Sequence, residues 1–292
     1  KPSVDEHAVT VPLVDWEHPE RNDFAIAEEV TVAGAHTKRP DLVLYLNGIA
    51  VGVIELKRSI VSVTEGIRQN IGNQDASFIR PFFSTVQLLM AGNESEGLRY
   101  GVIETPEKYW LEWKEAAYTD NPLEAGLSHL CGKERLLEII HDFMVFDAGV
   151  KKTCRHNQYF GVKAAQKRVA SREGGIIWHT QGSGKSLTMV WLAKWIREHV
   201  AGGRVLIITD RVELDDQIEK VFHGVNENIH RTASGDDLVR ALNTSDKWLM
   251  ASLIHKFGAS DEEGKVDAFL SDVEGRLPKG FSPKGEFFVF VD

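Results

Sequence analysis

At 292 residues, 42% hydrophobic and 26% charged, the chain has the composition of a folded globular protein and the length of one large domain or two ordinary ones. A formal net charge of −9 argues against a surface coated with basic groups, although a local basic groove survives in an average over the whole surface. No apolar run approaches the roughly 18 residues of a membrane span, no secretory leader opens the chain, and Cys131 and Cys154 make neither a metal-ligand spacing nor a disulfide framework, so the expected setting is the cytoplasm, with no membrane partner.

In chain order, Ala25 to Val32, Asp41 to Leu46 and Ile49 to Lys57 read as strands, rich in Val, Ile and Leu. Asn47-Gly48 between the last two is a hairpin signal, because both residues tolerate positive φ. The stretch from Val63 to Phe83 starts as a helix. Val86 to Met90 and Tyr100 to Glu104 read as strands around a Gly92-Asn93-Glu94-Ser95 turn. Lys133 to Phe146 sets Leu136, Leu137, Ile140 and Phe143 on one helical face, and a domain boundary is expected after it, near Gly149. Beyond it helices and strands alternate: helix 158–171, strand 175–179, helix 186–200, strand 205–210, helix 213–222, helix 236–242, strand 248–252 and strand 287–291. That alternation predicts a parallel, doubly wound sheet.

The strongest local signal is His179-Thr180-Gln181-Gly182-Ser183-Gly184-Lys185-Ser186, between an expected strand and an expected helix. Thr180, Gly182, Ser183 and Gly184 supply a turn whose backbone N–H groups can close on phosphate oxygens at a helix N-terminus. Lys185 would reach the β- and γ-phosphates, and the Ser186 hydroxyl would bind Mg²⁺. Such a site needs an acid at the end of a neighbouring strand, and Phe287 to Val291 ends in Asp292. The first glycine of the common phosphate-loop pattern is replaced by His179, which points away from kinases and small GTPases and toward helicase-like motors.

A second cluster stands near the start. Glu55 and Lys57 are two apart on a strand and share a face, while Asp41 opens the strand before. Two converging carboxylates suit Mg²⁺, a hard cation that prefers oxygen ligands, and a neighbouring lysine can offset charge that builds on a phosphate. The same residues also suit a structural Glu–Lys pair on a solvated sheet face. Geometry separates the two. An unbulged two-residue turn at Asn47-Gly48 would pair Asp41 with Ile54 and turn it away from Glu55. A working site therefore requires an odd offset, for which a glycine bulge at Gly48 is the expected source.

The stretch Arg39-Pro40-Asp41 through Val53-Ile54-Glu55-Leu56-Lys57 resembles the PD-(D/E)xK nuclease of type I restriction R subunits. Asn157-Gln158-Tyr159 resembles that family's adenine-reading motif, Thr209-Asp210-Arg211 with Asp215 and Gln217 resembles its next helicase motif, and Val289 to Asp292 resembles the start of the DEAD-type box. The resemblance implies an α/β chain with a nuclease domain over 1–148 and a first RecA-like motor lobe over 149–292. It gives Gln69 the glutamine of the nuclease's Q-x-x-x-Y motif, with Asn73 standing where the tyrosine would be, and gives Gln158 the adenine. It implies ATP and Mg²⁺ as cofactors, double-stranded DNA as substrate, and specificity and methyltransferase subunits as partners. It also implies a second motor lobe and a glutamate past Asp292. The expected activity is ATP-driven DNA translocation coupled to cleavage. The main alternative is a DNA helicase or remodelling ATPase whose front domain binds DNA without cutting it; the other is an ATP-binding scaffold that never hydrolyses nucleotide.

Overall fold

A six-stranded mixed sheet and a four-stranded parallel sheet organise the chain, one in each of its two units. The computed structural model describes residues 11–292 apart from 117, 245, 254–270 and 278. The first unit runs to Val145 and takes in Val150–His156; the second is Phe146–Gly149 with Asn157–Asp292.

In the first unit, β1 (Phe24–Glu28), β2 (Leu42–Leu46), β3 (Ile49–Leu56), β4 (Leu88–Asn93), β5 (Gly97–Gly101) and β6 (Leu111–Glu112) lie side by side in chain order. Every neighbouring pair is antiparallel except β3 and β4. A parallel pair needs a crossover, which is supplied by α1 (Val63–Asn73), capped at its start by the Ser62 hydroxyl. Val63 and Ile67 of α1 pack with Val43, Val53, Leu89, Phe83 and Trp110 in one core. Gly66 is what lets the helix come close: a Cβ there would stand 3.1 Å from the Ala91 side chain and 3.4 Å from the Glu55 carbonyl. Helices α2 (Pro122–Cys131) and α3 (Lys133–Asp142) follow. The helical repeat expected to run to Phe146 ends four residues early, because Met144–Asp147 becomes β7, the first strand of a hairpin with β8 (Val150–Thr153).

After Phe146–Gly149, the second unit continues with the long helix α4 (His156–Ser171), all but its first residue belonging here. Its sheet has the order β10 (His230–Arg231), β11 (Leu249–Leu253), β9 (Gly203–Thr209), β12 (Glu286–Val291), parallel throughout. Helices α5 (Lys185–His199), α6 (Val212–Gly224) and α7 (Gly235–Asn243) complete the alternation, and Leu206, Leu238, Ala241 and Met250 form part of the core. Arg204, 3% exposed, is held there by backbone carbonyls. Its guanidinium donates to the carbonyls of Ala241, Leu242, Lys247 and Lys284 and lies over the Phe287 ring.

One expected element is absent. Residues 175–179 make no strand, and Ile176 and Trp178 stand 90% and 89% exposed. A strand exists only through its neighbour's hydrogen bonds; among the described residues β12 has β9 on one side and nothing pairs with 175–179. No described helix is long and apolar enough to cross a membrane.

Candidate functional site

The first unit gathers a polar cluster at the C-terminal end of β3. The hairpin turn is the two-residue form after all: Asn47 (φ 49°) and Gly48 (φ 79°) both take positive φ, and Leu46 pairs with Ile49. The offset that the acids require comes from further along, not from Gly48. Tyr45 pairs with Ala50 but Leu44 pairs with Gly52, so Val51 is the extra residue of a β-bulge. From there the register runs Val43 to Val53 and Leu42 to Ile54, which brings Asp41 level with Glu55. The Asp41 carboxylate accepts the backbone N–H of Leu56 at 2.8 Å.

Around this pair the side chains interlock. Lys57 Nζ donates to Gln69 Oε1 at 2.7 Å and lies 4.0 Å from Asp41 Oδ2. Gln69 Nε2 donates to Glu55 Oε2 at 2.6 Å. Asn73, one turn further along α1, donates from Nδ2 to Glu55 Oε1 at 3.3 Å. Glu55 itself has no solvent exposure. Burial first, and then the charge of Asp41 and a hydrogen bond with it, push its carboxyl up to about 8, against the pull of Lys57. Two adjacent carboxylates with a lysine beside them could hold a hard divalent cation, which prefers oxygen ligands. Asp41, Glu55, Lys57 and Gln69, expected from the sequence, therefore do converge. Asn73, which the resemblance places where the motif's tyrosine would stand and to which sequence reasoning gave no role, joins them.

The second unit holds the phosphate loop at the carboxyl end of its parallel strands, where open α/β sheets place ligands. Gly182 (φ 76°) and Gly184 (φ 86°) take the left-handed conformation, and Gly184 is the N-cap of α5. Ser183 N–H closes the loop on the Thr180 carbonyl at 3.2 Å, and the Ser183 hydroxyl is buried without a partner among the described residues. Lys185 Nζ lies 3.5 Å from Asp292 Oδ1. The Ser186 hydroxyl accepts from Gln217 Nε2 at 3.2 Å, a residue of the next helicase-like motif. Gln158, 3% exposed, sits beneath the loop and donates from Nε2 to the Gly184 carbonyl at 2.9 Å. A Cβ on Gly184 would meet that amide at 2.4 Å, so the glycine is needed for contact as well as for φ. His179, the unusual first residue of the loop, packs against α4 at Gly161, where a Cβ would lie 3.3 Å from the imidazole. The loop, Lys185, Ser186 and Asp292 are thus assembled, with donors arranged for phosphate and oxygens for a metal.

Residues 1–108 match the family model described as the type I restriction enzyme R protein N terminus. Residues 157–292 match the SWI2/SNF2 ATPase. Together with the chain's curated relatives, these matches support an R subunit of a type I restriction-modification system. The chain's similarity to curated members of the family is spread along its length. It is 27% identical over 302 residues to the putative type I restriction enzyme MjaIXP endonuclease subunit of Methanocaldococcus jannaschii, covering 90% of this chain and 28% of that one. It is 26% identical over 316 residues to the type I restriction enzyme HindI endonuclease subunit of Haemophilus influenzae, covering 94% and 30%. To the SauMSSORF170P endonuclease subunit of Staphylococcus aureus it is 23% identical, covering 86% and 28%. The chain therefore spans less than a third of the length of these R-subunit relatives. The two matched families fall on the two clusters, the R-protein N terminus on residues 41–73 and the ATPase on residues 158–292.

Proposed function

We propose that this chain carries the nuclease and first motor lobe of a restriction R subunit, coupling ATP-driven movement along double-stranded DNA to metal-dependent cleavage. One observation carries the reading: Asp41, Glu55, Lys57 and Gln69 form a single connected cluster, with Glu55 buried beside Asp41. A solvated structural Glu–Lys pair would leave the glutamate in water. An idle sheet face has no use for a buried acid whose neighbour is another acid, since the pair costs stability without a cation.

In the nuclease, Asp41 and Glu55 would hold Mg²⁺. The ion would supply Lewis acidity for hydrolysis of a phosphodiester. Gln69 keeps Lys57 and Glu55 in fixed relation by bonding to both, so the ammonium group stays beside the site instead of pairing tightly with either acid. Lys57 is then placed to offset the negative charge that grows on a phosphate under attack.

In the motor lobe, the N–H groups of Gly182 to Lys185 and the start of α5 would cradle the phosphates of ATP. Lys185 would exchange its contact with Asp292 for the β- and γ-phosphates, freeing Asp292 to join Ser186 at a second Mg²⁺. Gln158 acts from below by fixing the Gly184 carbonyl, and reading adenine would require its amide to leave that position. Double-stranded DNA is the substrate of this reading, and the specificity and methyltransferase subunits of a restriction complex are its partners.

Reconstitution of the complete R subunit with those partners tests it. The expected result is cleavage of long unmethylated DNA that needs both ATP and Mg²⁺, lost on Glu55→Ala with ATP turnover retained. Cleavage unaffected by Glu55→Ala would remove the nuclease assignment. ATP-driven movement without any cutting by the parent would favour a helicase or remodeller instead.

A further inference from the structure

Asn73 is a buried polar residue on the face of α1 that meets β3, one helical turn beyond Gln69. Between them these two amides donate to both oxygens of Glu55, Gln69 to Oε2 at 2.6 Å and Asn73 to Oε1 at 3.3 Å. The last torsion of a glutamate side chain is broad and roughly two-fold, so a carboxylate held at one oxygen still swings. Donors on both oxygens fix its plane. A carboxylate that has given up its proton to bind a cation only accepts hydrogen bonds, so it takes the NH₂ end of each amide. The close approach of α1 that Gly66 permits, against Ala91 and the Glu55 backbone, is what puts both donors within reach.

We propose that Asn73 is a positioning residue of the nuclease site, fixing the plane of the Glu55 carboxylate for a divalent cation shared with Asp41. The inference rests on the nuclease reading above and extends it to a residue at which this chain departs from the tyrosine of the resembling family. The residue acts through its N–H donor and not through its volume. A leucine of similar size should therefore fail where a histidine, whose ring N–H can stand near the position of the amide nitrogen, succeeds. Asn73 belongs to the group of outer residues that orient a metal's ligands, whose loss costs roughly 10–100-fold in metal affinity.

The experiment is Mn²⁺ binding by the 292-residue chain without nucleotide, followed by calorimetry and by the electron paramagnetic resonance of the ion. Glu55→Gln defines the part of the binding that belongs to this site. Asn73→Leu is expected to weaken that part by about tenfold or more, and Asn73→His to restore most of it, with thermal melts showing both variants folded. Should the leucine variant not fold, Asn73→Ala carries the same comparison, since it removes the donor without adding bulk. Parent-like Mn²⁺ affinity in a folded leucine or alanine variant would overturn the role of Asn73 and leave the nuclease reading intact. Loss of affinity that histidine does not restore would also overturn it, because packing would then be the cause. Absence of any Glu55-dependent Mn²⁺ binding in the parent would overturn the nuclease reading and the role of Asn73 with it.

Discussion

Asp41 stands level with Glu55 across the β2–β3 hairpin only because Val51 is bulged out of the pairing between them. Without that extra residue on β3, the two-residue turn would pair Asp41 with Ile54 and send the two acids to opposite faces of the sheet. The bulge also sits in the part of the sheet where Gly52 packs closely on Leu44, a Cβ at Gly52 coming within 3.0 Å of the leucine side chain. The site's chemistry thus depends on a backbone irregularity several residues from either acid.

The proximity of the acids has a pH signature. Glu55 is raised from 4.5 to about 8, first by burial and next by Asp41. The folded chain therefore binds more protons than the unfolded chain between these values, and stability falls as pH rises from about 4.5 through 8. The loss is expected to be on the order of a few kcal/mol, and millimolar Mg²⁺ should offset it. Asp41→Asn should lower the Glu55 pKa without returning it to 4.5, since burial remains. Carboxyl ¹³C shifts read against pH, with denaturant melts at pH 5 and pH 8, check both statements. A Glu55 that titrates normally in the folded chain would contradict them.

In the complete enzyme, Asp41→Ala, Glu55→Ala and Lys57→Ala should each abolish DNA cleavage and spare ATP turnover, because the two clusters lie in separate units. For Lys57, whose task is to offset charge, the expected loss is about 10²–10³ in rate. Cleavage and ATPase measured side by side decide the matter. ATPase lost together with cleavage, in a variant that still folds, would mean that the two chemistries are not divided as described.

Lys185→Ala should weaken ATP binding by more than about tenfold, as it removes a charged contact to phosphate. Asp292→Asn should do the opposite in the absence of Mg²⁺, because it releases Lys185 from its ion pair at 3.5 Å. Titration with and without Mg²⁺ separates the two effects. A gain in the Asp292 variant that persists when Mg²⁺ is present would deny Asp292 its part in holding the metal.

Gln158→Ala should cost ATP affinity more than GTP affinity if its amide reads adenine, and both alike, by about tenfold, if it only supports the Gly184 carbonyl. Competition of the two nucleotides for the same site gives the ratio. A loss confined to ATP would return Gln158 to adenine reading.

The sequence by itself marked the candidate residues for chemistry and the order in which they come. The spacing of Glu55 and Lys57 on a strand, the glycines before Lys185 and the apolar run ending in Asp292 are local patterns, set by side-chain period and backbone φ preference. They were legible because each is complete within a few residues. The β10 strand of two residues, the bulge at Val51 and the contact of Asn73 with Glu55 were not, since each depends on a partner distant in the chain. The stretch 175–179 shows the same rule from the other side: its composition favours a strand, but a strand forms only where a neighbour completes its hydrogen bonds. Gln158 is the clearest case. Its residue type and place in the chain mark it as belonging to the nucleotide site, but only the packing of α4 beneath the loop decided that its amide meets the Gly184 carbonyl, because a donor buried at 3% exposure takes the acceptor that the fold places next to it.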